Sequence, residues 1–264
     1  MTPLRVIEQF KRQQWGAIGV ELVIVVLGVF IGIQVSNWNE KLATNRTASV
    51  FTEQLRADLR EEDWAYQLLI NYNREVLANA DRTVNALEGK TPMTDEALLV
   101  SAYRATQYRQ RVRRRSTYDE LISTGTIGLI RDRSLRDTAM RIYNLAAIEH
   151  LAREGMQSGY REAFRMSLPN EVQRALGKQC GDRFIRTGDY GSIKGSLDYA
   201  CTTGLSERAI SEGARALRSH PDLVSLLRLR IADIETRLGD LTVANRPIME
   251  SLRAIAKCDG AVPC

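Results

Sequence analysis

The sequence predicts an all-α protein with one membrane-spanning helix near its start, and three observations lead there. Residues 16–36 (GAIGVELVIVVLGVFIGIQVS) form an apolar run. At ~1.5 Å per residue it covers roughly 31 Å, the thickness of a bilayer's hydrocarbon core. Apolar residues recur at threes and fours through most of the remaining chain, the period of an amphipathic helix. Only six prolines occur in 264 residues, and the helix formers Ala, Leu, Arg and Glu are abundant.

The apolar run reads as an uncleaved anchor held in the lipid bilayer. It ends Gln34-Val35-Ser36-Asn37-Trp38-Asn39, without the small-x-small site of a signal peptide, and carries Glu21 inside it. Arg5, Lys11 and Arg12 precede it and Lys41 and Arg46 follow, which favours a cytoplasmic N-terminus. The expected organisation is a short cytoplasmic segment (1–15), the membrane helix (16–36) and an extracytoplasmic helical-bundle domain (37–264). Trp15 and Trp38 are the expected interface anchors.

No Pro or Gly lies between Gly32 and Gly89, so the membrane helix is expected to continue through residues 40–88 as one rod. Leu59, Tyr66, Ile70, Leu77, Ala80, Val84 and Leu87 supply its apolar face, and Gly89 its C-terminal cap. A second helix is expected from Thr94 into the arginine-rich stretch 109–115. Residues 116–125 (STYDELISTG) read as a short helix capped by Gly125. A third long helix is expected from Asp132 or Ser134 to about Met166, ended by Pro169. Six glycines punctuate 177–205, the expected irregular insert. From Pro221, Leu227, Ile231, Ile234, Leu238, Leu241, Asn245, Ile248, Leu252 and Ile255 alternate four and three apart, a heptad seam with one polar member. Pro247 should kink it. The seam can face helices of the same chain or another subunit. Together these predict an antiparallel helical bundle hung from the membrane helix.

The cysteines, Cys180, Cys201, Cys258 and Cys264, all lie in the second half of the chain, outside any C-x-x-C or Cys/His cluster. Their even count and wide spacing suggest disulfides. Cys180–Cys201 across the glycine-rich insert and Cys258–Cys264 at the C-terminus are the preferred pairs. Four cysteines allow three pairings, and four reduced thiols remain the alternative.

The candidate functional residues are few. Ala17, Glu21, Gly28, Gly32 and Ser36 share one face of the membrane helix, with Gly28 and Gly32 in the G-x-x-x-G spacing that lets two helices approach closely. Glu21 can be a hydrogen bond that locks such an assembly, a proton-carrying group, or an interfacial carboxylate ~7–8 Å inside the run. Arg109, Arg111, Arg113, Arg114 and Arg115 form a candidate patch for an anion or an acidic partner. The alternative is a solvated face paired with Glu61, Glu62 and Asp63. The net charge of +5 divides as three basic against two acidic side chains in residues 1–36 and 34 against 30 in the rest, too small a surplus to imply nucleic acid. No base-stacking platform is interleaved with the arginines beyond Tyr103, Tyr108 and Tyr118, and no nucleic-acid partner is expected.

No enzyme and no cofactor are expected. His150 and His220 belong to no H-E-x-x-H or E-x-x-H, and Glu149-His150 has the wrong spacing for a di-iron bundle. G-x-S-x-G, a P-loop and G-x-G-x-x-G are absent, and GTIG and GDYGSIKG resemble phosphate loops only in glycine content.

Two stretches carry a family resemblance. GVELVIVVLGVFIGIQVSNWNE (19–40) ends in Q-x-x-N-W-N-E at Gln34, Asn37, Trp38, Asn39 and Glu40. STYDELISTGTIGLIRDRSLRD (116–137) matches E-L-x-x-S-G-x-L-x-L-I-x-D-x-x-L-R at Glu120, Leu121, Gly125, Leu129, Ile130, Asp132, Leu135 and Arg136, with Thr124 for the usual Ser and Ile127 for the usual Leu. The chain resembles a family of uncharacterised bacterial single-pass membrane proteins with those two motifs. The resemblance implies a helical, membrane-anchored protein and no activity. The expected function is a structural or interaction subunit of an inner-membrane assembly, through self-association or another membrane protein. The alternative is a periplasmic sensory or ligand-binding bundle, against which count the lack of a second span and a 15-residue segment too short to signal alone.

Overall fold

A computed structural model describes residues 15–257, with side chains from Gly19 onward. Its ten α-helices are α1 (Trp15–Leu87), α2 (Asp95–Ala105), α3 (Ser116–Ser123), α4 (Arg133–Tyr143), α5 (Ala147–Met156), α6 (Gly159–Ser167), α7 (Asn170–Cys180), α8 (Glu207–Ser219), α9 (Leu223–Gly239) and α10 (Arg246–Lys257). No strand occurs among the described residues.

Helix α1 is the rod expected from the sequence, unbroken for 73 residues. The lack of an internal helix breaker beyond Gly32 permits it, and Gly89, at φ +73°, ends the segment in the left-handed conformation that glycine adopts without strain. The rod has two environments. Along 20–35 its large apolar side chains are 49–64% exposed. From Ala48 onward, one face is buried beneath the shorter helices.

Two apolar clusters follow one another along that face. Leu55, Leu59, Tyr66, Ile70 and Val76 pack with Tyr118, Leu121, Ile142, Ile234, Leu241 and Leu252. Farther on, Ala80 packs with Leu99, Ala102, Tyr160, Phe164, Leu176, Leu217 and Leu227. The C-terminal heptad residues Leu227, Ile234, Leu238, Leu241, Ile248, Leu252 and Ile255 are buried inside this chain. The seam therefore serves an intrachain core.

Four expectations are corrected. Helix α2, capped by Thr94 through a bond from the Ala97 N–H, stops at Ala105 and does not run into the arginines. The single helix expected from Asp132 to Met166 is three: α4, α5 and α6. Its first break sits at Asn144, whose side-chain amide donates to Met140 O and to the Tyr118 hydroxyl, diverting the backbone toward α3. Between α5 and α6 the chain turns at Gln157 and Ser158. Gly155 just before lies so close to Tyr108 that an added Cβ would come within 2.5 Å of its Cβ.

Pro169 ends α6 but also opens α7, which takes in the beginning of the expected 177–205 insert. The long C-terminal helix is interrupted by a wider π-turn at Asp240–Ala244, where Asn245 donates its Nδ2 to Asp240 O. The result is one long rod with α2, α3, α4, α9 and α10 packed directly on it and the other short helices packed largely on these, rather than four long antiparallel ones.

The irregular stretch after α7 is held by a Cys180–Cys201 disulfide. Cys258 and Cys264 lie outside the described residues. Arg104 reaches into the insert, donating Nε to Cys180 O at 3.2 Å and Nη2 to Tyr199 O at 2.9 Å. Ile185 and Ile193 pack it onto Trp64, Ala65 and Leu68 of α1.

Candidate functional site

Two places in the structure bring together residues singled out by sequence. The first is the exposed end of α1. Among the described residues one helix, containing this segment, is long and apolar enough to cross a membrane. Gly28 and Gly32 have no atom within 4 Å of where a Cβ would stand, so the small-residue face is open. Glu21, Ser36 and Trp38 are exposed on the same segment. The side chains of Trp15 and Ala17 lie outside the described part. Residues 37–47 are exposed as well, a helical stalk before the bundle begins at Ala48, with Arg131 donating to Asn45 Oδ1 near its end.

The second place is built by the arginine run. Residues 107–115 adopt no helix. The segment crosses α1 where Asp58, Glu61 and Glu62 line one side of the rod. Glu62, only 1% exposed, takes Arg111 Nη2 at 2.5 Å and Arg113 Nη2 at 3.1 Å. Arg114 bridges Asp58 at 2.8 Å and Glu61 at 3.2 Å. Arg115 pairs with Asp119 one turn into α3 at 2.9 Å. Arg113, with a side chain 7% exposed, also donates to Ile142 O at 2.7 Å and lies over the Tyr143 ring. Arg109 stacks over Tyr72. Much of the run's charge is thus neutralised within the chain by Asp58, Glu61 and Glu62. Asp63, also expected as a partner, instead accepts a hydrogen bond from the Tyr190 hydroxyl at 2.8 Å.

Between this segment, α1 and α5 lies a groove of about 580 Å³. Ala65, Leu68, Leu69, Ile148, Ala152 and Met156 form its apolar surfaces, while Arg109, Arg111, Arg113, Arg115, Arg153 and Glu149 line the rest. Sequence reading missed Arg153 and the α5 residues, because they join the groove only through the break that separates α5 from α4. Asp58 was legible in the acidic stretch 58–63 but was not singled out.

Beside the groove, the Tyr72 hydroxyl donates to Asp182 at 2.8 Å. Burial pushes the Asp182 carboxyl above its ordinary range, against that hydrogen bond and the nearby Arg109 charge. Burial does the same to Asp63, against the Tyr190 hydrogen bond. A carboxyl with a raised folded-state pKa contributes stability that is fully present below its unfolded value and lost as pH rises through the folded one. Asp182→Asn keeps an acceptor for Tyr72 and removes the titration. The melting temperature of the variant, relative to the unaltered chain, is expected to be higher at about pH 7 than at about pH 4; a difference that does not vary with pH contradicts this. No group of three or more His, Cys, Asp or Glu is placed to hold a metal ion among the described residues.

A family model matches residues 21–153, just over half of the chain. The chain belongs to DUF6090, a family of unknown function. The DUF6090 match begins inside the apolar run at Glu21 and takes in the rod, the arginine segment and α5 as far as Arg153. It ends before the disulfide-tied insert and α8–α10. No curated protein and no solved structure matches the chain.

Proposed function

We propose that the chain is a membrane-anchored structural or interaction subunit of a bacterial inner-membrane assembly. Its span associates with a second copy or with the span of another membrane protein, and its bundle stands in the periplasm. The observation that carries this reading is the division of α1. One half of a single helix is packed on the bundle core, and the other shows apolar side chains to every side with nothing among the described residues to cover them. Lipid covers such a surface, and the open Gly28/Gly32 face with Glu21 nearby suits a close helix partner. The charge asymmetry around the span and the disulfide support an outward-facing bundle.

Leucine at both Gly28 and Gly32 fills open space, so it leaves the bundle's fold unchanged while blocking close helix approach. Crosslinking in native membranes is expected to give an oligomer or a heterocomplex with the unaltered chain and several-fold less with the double variant. A monomer with no co-purifying membrane protein refutes the reading. A phosphatase that needs disulfides for activity, fused behind Cys264, is expected to be active, and an inactive fusion refutes the orientation.

A further inference from the structure

We propose that the groove beneath the arginine segment binds a small anionic amphiphile, a carboxylate on a short apolar body, taken from the surrounding water rather than from the bilayer. The groove's volume of about 580 Å³ falls within the roughly 300–1,000 Å³ of small-molecule sites. Leu68, Leu69, Ile148 and Ala152 offer an apolar bed. Met156, 44% exposed at its edge, is an adaptable wall.

The polar side favours an anion. Arg111 and Arg113 share the single carboxylate of Glu62. Arg113 Nη1 is buried without a hydrogen-bond partner. Arg153 is exposed, lines the groove, and has no ion pair among the described residues, although Glu149 stands one turn before it. Counting Glu62, Asp119, Glu149 and the Asp182 carboxyl near Arg109 against the five guanidiniums of the lining leaves one positive charge in excess. A planar guanidinium can hold both oxygens of a carboxylate, which gives the head a defined orientation.

Geometry excludes the bilayer as the source. Leu68 lies 32 residues beyond Ser36 on the same unbroken helix, about 48 Å of helical rise. Headgroups at the end of the span do not reach the groove.

The test is calorimetric titration of octanoate into the full-length chain in phosphatidylcholine nanodiscs, against empty discs. Saturable one-site binding is expected. Arg153→Gln should weaken it about tenfold, and 1-octanol should bind at least about tenfold more weakly than octanoate. Ala152→Trp, which fills the groove, should abolish it. Arg174→Gln, exposed on α7 away from the groove, should leave it unchanged. Arg153 is exposed and unpaired, so its variant tests the head site even if the tryptophan variant does not fold. The proposal is overturned by any of four results: no saturable heat, equal binding of octanol, octanoate binding indifferent to Arg153→Gln, or an equal loss in Arg174→Gln. Loss of octanoate binding in discs containing phosphatidylglycerol would show lipid headgroups already in the groove and overturn the aqueous source.

Discussion

Replacing Glu62 with alanine is expected to destabilise the bundle by about 3 kcal/mol, because removing one member of a buried ion pair leaves the other charge uncompensated. Glu62 is almost fully buried and takes two guanidiniums. Arg111 is 27% exposed and can swing toward water, so its loss is partly recovered. Arg113 cannot follow it. Its side chain is enclosed, lies over Tyr143, and would keep only the Ile142 carbonyl as a partner. For a domain of this size the change corresponds to about 6–12 °C in melting temperature. Glu212→Ala is the matched control, since Glu212 is 54% exposed and pairs only with Arg208. That substitution is expected to change stability by less than about 0.5 kcal/mol. Urea titration of the full chain in mild detergent measures both. A Glu62→Ala effect no larger than the control's would mean that the arginine segment is not held by this carboxylate.

The same interface shows where sequence reading succeeds and where it stops. The rod was legible because its signal is local: a lipid-length apolar run, no helix breaker beyond Gly32, and a glycine where the helix must end. The caps at Thr94 and Asp132 and the left-handed glycine at Gly125 are legible for the same reason, since each is decided by residues within one turn. The arginine run carries no such signal. A stretch of nearly uniform charge has no apolar period, so nothing in it says that 109, 111, 113 and 115 would be half-buried. That is decided by carboxylates some fifty positions earlier on α1. The breaks within 132–166 are equally non-local. The helical period continues through them, and the chain departs from it because Asn144 finds Tyr118 and because Gly155 admits Tyr108. Helix α8 was missed although Ser206 is a readable N-cap that accepts from the Ala209 N–H. The pairing of the run with Glu61 and Glu62 was among the sequence's alternatives, but the groove also needs the run to leave the helix expected to enter it and the chain to break between α4 and α5, and those two departures have no local signal.

Serine at both Cys180 and Cys201 is expected to lower stability by about 3 kcal/mol, the loop-closure effect for a cross-link of this length. The bridge joins residues 21 apart across a segment whose only regular element is one 3-10 turn, Lys194–Ser196. Most of what it does is restrict the unfolded chain, so the folded insert should survive its loss. Arg104 still donates to Cys180 O and Tyr199 O, Arg183 still stacks on Tyr199, and Ile185 and Ile193 still cover Trp64 and Leu68. The expected result is a lower urea midpoint with a somewhat steeper denaturant slope, since the unfolded chain without the bridge exposes more surface, and protease cleavage that rises within 182–200 before the bundle melts. A change below about 0.5 kcal/mol would contradict the entropic argument. The bridge also reports on where the bundle stands. A disulfide persists in an oxidising compartment and is reduced in the cytosol. Alkylation of intact cells without reductant should therefore leave Cys180 and Cys201 unmodified. Modification of both would place the bundle on the reducing side and reverse the orientation drawn from the charges around the span.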